Sequence, residues 1–107
     1  MKEFTIDGFT ILIGQNAHEN DELVRNSEPN DWWLHISRGS SAHGVIKNPN
    51  NSRVPHKILK YCCRNIKHFN NAGKKIEFDV TRIKNVIPTD IPGRVNLKIS
   101  KQINLYM

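Results

Sequence analysis

Over residues 3–13 apolar and polar side chains alternate. Glu3 to Ile6 and Phe9 to Ile13 therefore predict two short strands, joined at Asp7-Gly8, a strong signal for a tight hairpin turn. Gly14 breaks the pattern, and Asn16 suits a helix N-cap, with Glu19 three residues on in the place of a capping-box acid. The predicted helix runs from about Ala17 to Arg25, with Glu19, Asp21 and Glu22 in the first turns where the helix dipole favours them, and Pro29 prevents continuation. Leu23 and Val24 are its only large apolar residues. Such a helix either lies shallowly on the surface or presents Asn20 and Asp21 to a partner.

The pattern then changes. In Asp31 to Ile46, DWWLHISRGSSAHGVI, Trp33, His35 and Ser37 alternate with Trp32, Leu34 and Ile36, which predicts a strand with two unlike faces. Arg38 to Ser41 form a turn cluster, after which His43, Val45 and Lys47 alternate with Gly44 and Ile46 as a second strand. If the two pair, His35 and His43 lie near the hairpin mouth beside hydroxyls and backbone amides, a set suited to an anionic or hydrogen-bonding partner such as a phosphate. Equally, the tryptophans can be core and the histidines satisfied within the hairpin.

Pro55 opens the clearest helix, roughly Pro55 to Asn71, with proline at a first-turn position and Gly73 as the stop. At 100° per residue Ile58, Leu59, Cys62, Cys63, Ile66 and Phe69 share one apolar arc, and Lys57, Lys60, Arg64 and Lys67 fall opposite. That cation stripe has no acidic partner within the helix; it is either a solvated face or a surface that tracks phosphates. Lys74 to Thr81 alternates Ile76, Phe78 and Val80 inward against Lys75, Glu77 and Asp79 outward. Arg82 to Ile87 extends this strand or bends away, Pro88 to Gly93 is a turn-rich loop, Arg94 to Ser100 places Val95, Leu97 and Ile99 on one face, and Gln102 to Met107 can add a last strand. The expectation is one α+β domain over residues 1–107, in the order ββαββα followed by two or three strands, with a mostly antiparallel sheet and both helices packed on it.

Composition narrows the class. At 107 residues the chain supports one modest core, and no apolar run approaches the roughly 20 residues that span a bilayer. MKEFTIDGFT lacks the apolar centre of a signal peptide, and adjacent Cys62 and Cys63 suit free thiols in a reducing compartment, so a cytoplasmic protein is expected. Charge is lopsided: residues 1–51 carry four Lys or Arg against seven Asp or Glu (−3), and residues 52–107 carry twelve against three (+9), which sum to +6. A basic half on a small domain favours polyanions, nucleic acid before membrane surface.

Gly14-Gln15-Asn16 with Asn20-Asp21 and Leu23 resembles the G-R-N-x-x-x-N-D-x-L opening of the NFACT-R domain, a predicted RNA-binding module of the NFACT proteins of ribosome quality control. Asp31, Trp33 and His35 are similar to its D-x-W-x-H strand; Ser41, His43, Val45 and Ile46 stand where the family has G-S-H-V and two apolar residues. Pro55 with Cys62-Cys63 resembles its P-x-x-x-x-x-A-A helix, and Asp79-Val80-Thr81, Pro92-Gly93 and Val95 its D-y-T strand and P-G-x-V ending. Two departures stand out: Ala42 separates Ser41 from His43, and the lysine run after the D-y-T strand is reduced to Arg82 and Lys84. The helix-hairpin-helix and coiled-coil segments of large NFACT proteins have no counterpart here, so the chain resembles a stand-alone version.

The resemblance implies a non-catalytic RNA-binding module for tRNA or ribosomal RNA, an adaptor in translation, ribosome quality control or RNA modification, with the ribosome or a modification enzyme as further partner. The candidate RNA contacts are Asn16, Asn20, Asp21, Asp31, Trp33, His35, Ser41, His43, Lys47, Lys57, Lys60, Arg64, Lys67, Arg82 and Lys84. The same basic face could serve DNA or a protein. Asp31, His35, Ser41 and His43 hold the groups for acid–base or nucleophilic chemistry, but no spacing fixes a triad, so no catalytic residue is assigned. A zinc site built on His35 and His43 lacks a nearby cysteine, and His18, His56 and His68 are scattered, so neither metal nor cofactor is expected. The sequence leaves the oligomeric state open.

Overall fold

Asp7 and Gly8 turn the chain back with positive φ angles of 49° and 83°, the geometry that a two-residue hairpin needs to match strand twist. They join β1 (Lys2–Ile6) to β2 (Phe9–Ile13), with Ile6 opposite Phe9. The computed structural model, which describes residues 1–66 and 75–106, continues with α1 (Ala17–Asn26), β3 (Trp32–Ile36), β4 (Gly44–Ile46), α2 (His56–Ile66) and β5 (Lys75–Arg82). A single 3₁₀ turn at Ile83–Asn85 leads to β6 (Val86–Pro88), β7 (Val95–Leu97) and β8 (Lys101–Tyr106). Six strands form one antiparallel sheet in the order β1-β2-β4-β3-β5-β8, and β6 pairs with β7 in a small separate sheet. The α+β class and the order ββαββα followed by strands are as expected.

Strand parity decides which helix covers which face. Leu34 and Ile36 of β3 join Ile11, Ile13, Ile46, Phe78 and Val80 beneath Ile58, Cys62, Cys63 and Ile66 of α2. Trp33 and Val45 point to the other face, where Leu23 and Val24 of α1 meet Ile83 and Val86. The two helices therefore lie on opposite sides of the sheet. Gly44 explains how closely α2 approaches: a Cβ there would stand 2.6 Å from the Cys62 sulfur. A glycine on the strand and a small thiol on the helix let the two backbones close, and dense packing does the rest.

Asn16 caps α1 as expected, its Oδ1 accepting from the Glu19 N–H at 2.9 Å; the Glu19 carboxylate reaches back to the Gln15 N–H, one residue before the usual box position. Several expectations need correcting. Pro55 is not in the first turn of α2; its carbonyl accepts from the Ile58 and Leu59 N–H groups, so it precedes the helix. Of the two alternatives for Arg82 to Ile87, Arg82 still belongs to β5 and the chain bends away from the sheet from Ile83 on. Ile99 does not share the half-buried face of Val95 and Leu97 but is 66% exposed, because β7 ends at Leu97 and the link to β8 runs over the surface. Lys67, Phe69, the predicted helix end at Asn71 and the stop at Gly73 lie outside the described residues.

Candidate nucleic-acid interface

The α1 face of the sheet holds a cleft of about 680 Å³. Its floor is His35 on β3 and Asp79 on β5, directly opposite in register. Its walls are the start of α1, the β3–β4 loop and the turn from Ile91 to Arg94. Gly93, with φ at +81°, lies against α1 so closely that a Cβ would meet the Ala17 Cα at 3.1 Å. Only glycine takes that backbone freely and fits that gap.

His43 ties these parts together. Its Nδ1 accepts the indole N–H of Trp33 at 3.1 Å, so a neutral ring carries its proton on Nε2, with the Gly93 backbone close by. Its own backbone N–H goes to the Asn20 side chain at 3.1 Å. Burial, then the neighbouring His35, push the His43 pKa down to about 4, against the Gly93 hydrogen bond. The His35 ring lies parallel to Trp33 at 5.5 Å between centroids and meets His43 edge-on at 4.9 Å. Burial lowers its pKa too, opposed by the Ile36 carbonyl it binds and by Asp79. Both imidazoles are thus neutral at physiological pH. The hairpin mouth offers hydrogen bonds, not the positive charge that a phosphate would prefer.

Of the fifteen candidate contacts, all but Lys67, which lies outside the described residues, separate into three places. Asn16, Asn20, Trp33, His35, Ser41 and His43 surround the cleft. Most are committed to the fold there. Asn20 is 6% exposed and holds the His43 N–H; Trp33, a candidate for stacking on bases, is 2% exposed and buried between the histidines and the α1 core. The Ser41 hydroxyl donates to the Ala42 carbonyl. Asp21 pairs with Arg25 at 2.9 Å along α1.

At the opposite end of β3, Asp31 is 1% exposed and accepts from the Glu28 N–H (2.9 Å), the Asn48 N–H (2.8 Å) and the Lys47 ammonium (3.1 Å). Arg82 lies over the Trp32 ring, 4.1 Å from its centroid, and donates to the Asn30 carbonyl and the Asn51 side chain. Lys84 is exposed nearby in sequence. Lys57, Lys60 and Arg64 occupy the third place, α2, across the sheet from the cleft. Lys57 pairs with Asp7 at 2.6 Å, while Lys60 and Arg64 pair with no carboxylate among the described residues. Lys67 lies outside them.

Ser37, Asp79 and Arg94 line the cleft and were not among the candidates. The Ser37 hydroxyl and the Gln102 amide both donate to Asp79 Oδ1, each at 3.0 Å. Sequence alternation places Asp79 on the outward face of its strand, and its pairing opposite His35 turns that face into the cleft floor. Among the described residues no three His, Cys, Asp or Glu side chains assemble a metal site, and no helix is long and apolar enough to cross a membrane.

Comparison with known proteins agrees with this architecture. The coiled-coil domain-containing protein 25 of Danio rerio is 30% identical over 70 residues, and its Dictyostelium discoideum homolog 32% over 70; each match covers 63% of this chain and 34% of the relative. The chain thus corresponds to about a third of the length of these relatives. Among solved structures, the C-terminal part of the fibronectin/fibrinogen-binding protein from Streptococcus suis superposes with a TM-score of 0.82 at 21% identity, over 97% of this chain and 44% of that one, which shows a shared fold. The family model of the NFACT protein RNA binding domain matches residues 2–95. With so much of its length matched, the chain belongs to the NFACT RNA-binding domain family.

Proposed function

We propose that this domain is a non-catalytic RNA-binding module that docks tRNA or ribosomal RNA in the cytoplasm, as an adaptor for translation, ribosome quality control or an RNA-modification enzyme. The observation that carries this reading beyond family membership is the outer face of α2, where Lys60 and Arg64 stand without carboxylate partners among the described residues. Cations so placed meet phosphates without first breaking an ion pair, and each contact releases counterions from the nucleic acid. Lys57 joins them by exchanging Asp7 for a phosphate. Asp31, Asn20 and Trp33 act indirectly, by holding the scaffold in shape.

His43 argues against catalysis. Its Nδ1 is taken by the Trp33 indole and its pKa is about 4, so it is poorly suited to exchange protons with a substrate at neutral pH. The test is a titration of tRNA, single-stranded RNA and duplex DNA into the purified protein at two salt concentrations. Micromolar or tighter RNA binding that weakens steeply with salt is expected. Equal affinity for duplex DNA would reduce the reading to general polyanion binding, and no binding to any of the three would refute it.

A further inference from the structure

Two hydrogen-bond acceptors, on residues paired in register, line the cleft floor without a protein donor among the described residues. Asp79 Oδ1 already receives the Ser37 hydroxyl and the Gln102 amide, while Oδ2 has no donor among the described residues. On the neighbouring strand His35 uses Nδ1–H on the Ile36 carbonyl, which leaves Nε2 of the neutral ring as a bare acceptor. The Trp33 and His43 rings hold that imidazole in place. A volume of about 680 Å³ lies within the roughly 300–1,000 Å³ range of pockets that take small organic ligands. A phosphate is a poor occupant, since it would meet the Asp79 carboxylate. A flat group with two adjacent N–H donors is a good one.

Resting on the RNA-binding reading, we infer that the cleft seats a single unpaired guanine, with its 2-amino group directed at Asp79 Oδ2 and its N1–H at His35 Nε2. Guanine is the one common RNA base with two neighbouring donors on its Watson–Crick edge; adenine, cytosine and uracil each place an acceptor beside the donor. Unstacked bases read on that edge are the usual route to sequence-specific RNA recognition. Arg94, exposed and part of the cleft lining, is the cation available to the same nucleotide's phosphate. The α2 cations, across the sheet, would engage a different stretch of the RNA.

The experiment titrates GMP, IMP, AMP, CMP and UMP into the full chain, following the Trp33 indole N–H and the histidine ring signals by NMR. GMP should shift the Trp33, His35 and His43 resonances. IMP, which lacks the 2-amino group, should bind about tenfold more weakly, the loss of one hydrogen bond to a charged acceptor, and UMP should produce no shift. Asp79→Asn, which puts a donor where Oδ2 stands, should abolish the preference for GMP over IMP; the nucleotide series on the unaltered protein decides even if that variant fails to fold. Equal binding of all five nucleotides, or none by any, overturns the inference. So does methylguanidine shifting the same signals as strongly as GMP, which would assign the cleft to an arginine side chain of a protein. RNA binding without a GMP response overturns the guanine site and leaves the RNA reading intact, whereas a GMP response without RNA binding does the reverse.

Discussion

The indole N–H of Trp33 donates to Nδ1 of His43 at 3.1 Å, ten residues away and just ahead of the neighbouring strand. That single bond fixes the tautomer of a buried imidazole, whose Nε2–H is left with the Gly93 backbone close by. A protonated His43 could no longer accept from Trp33.

This makes stability depend on pH in a defined window. The folded pKa of His43 is about 4, below its ordinary value of 6.5, so as pH falls the unfolded chain takes up the proton first. The contribution is full above about 6.5 and is lost progressively down to about 4, amounting to about 3 kcal/mol at most. His35, also lowered, adds in the same direction. Urea midpoints at pH 7.5 and pH 5 should therefore differ, and His43→Gln should be weaker at pH 7.5 but fall less between the two. An equal fall in both proteins would place the titration elsewhere.

Gly14 and Asn20 should behave as one unit. A Cβ at Gly14 would lie 2.2 Å from Asn20 Oδ1, the atom that accepts the His43 N–H. Asn20→Ala leaves that buried N–H unpaired and should cost about 1–3 kcal/mol. Gly14→Ala should cost a similar amount alone and markedly less in the Asn20→Ala background, because both act on the same bond. Strict additivity in a double-mutant cycle would contradict the shared mechanism.

Asp31 should prove a stability residue. Removing a carboxylate that holds the Glu28 and Asn48 N–H groups and the Lys47 ammonium should cost about 3–5 kcal/mol in Asp31→Ala, and less in Asp31→Asn, which keeps one oxygen. At a temperature where both stay folded, RNA affinity should be unchanged. A folded Asp31→Asn protein with lost RNA binding would return Asp31 to the interface.

Local chemistry was legible from sequence where the cause is local. Asp7-Gly8, the Asn16 cap, the alternation in β3 and the apolar arc of α2 all follow from neighbours within one or two turns. The candidate site was harder, because Asn20, Asp31 and His43 look in sequence like reactive polar groups, and only the tertiary structure reveals that each is buried on a backbone partner. Strand parity separated Trp33 from Leu34 but could not say that α1 and α2 would cover opposite faces. The return of Gly93 onto Ala17 joins segments too far apart for any pattern to register.

The most direct test of the account is fluorescence anisotropy of labelled tRNA with the unaltered protein and with a Lys60→Glu, Arg64→Glu double variant, each at several salt concentrations. The account predicts salt-sensitive binding by the unaltered protein, with the double variant at least tenfold weaker and its salt slope smaller by about two, one unit per lost phosphate contact. Unchanged affinity and slope in a folded double variant would contradict it.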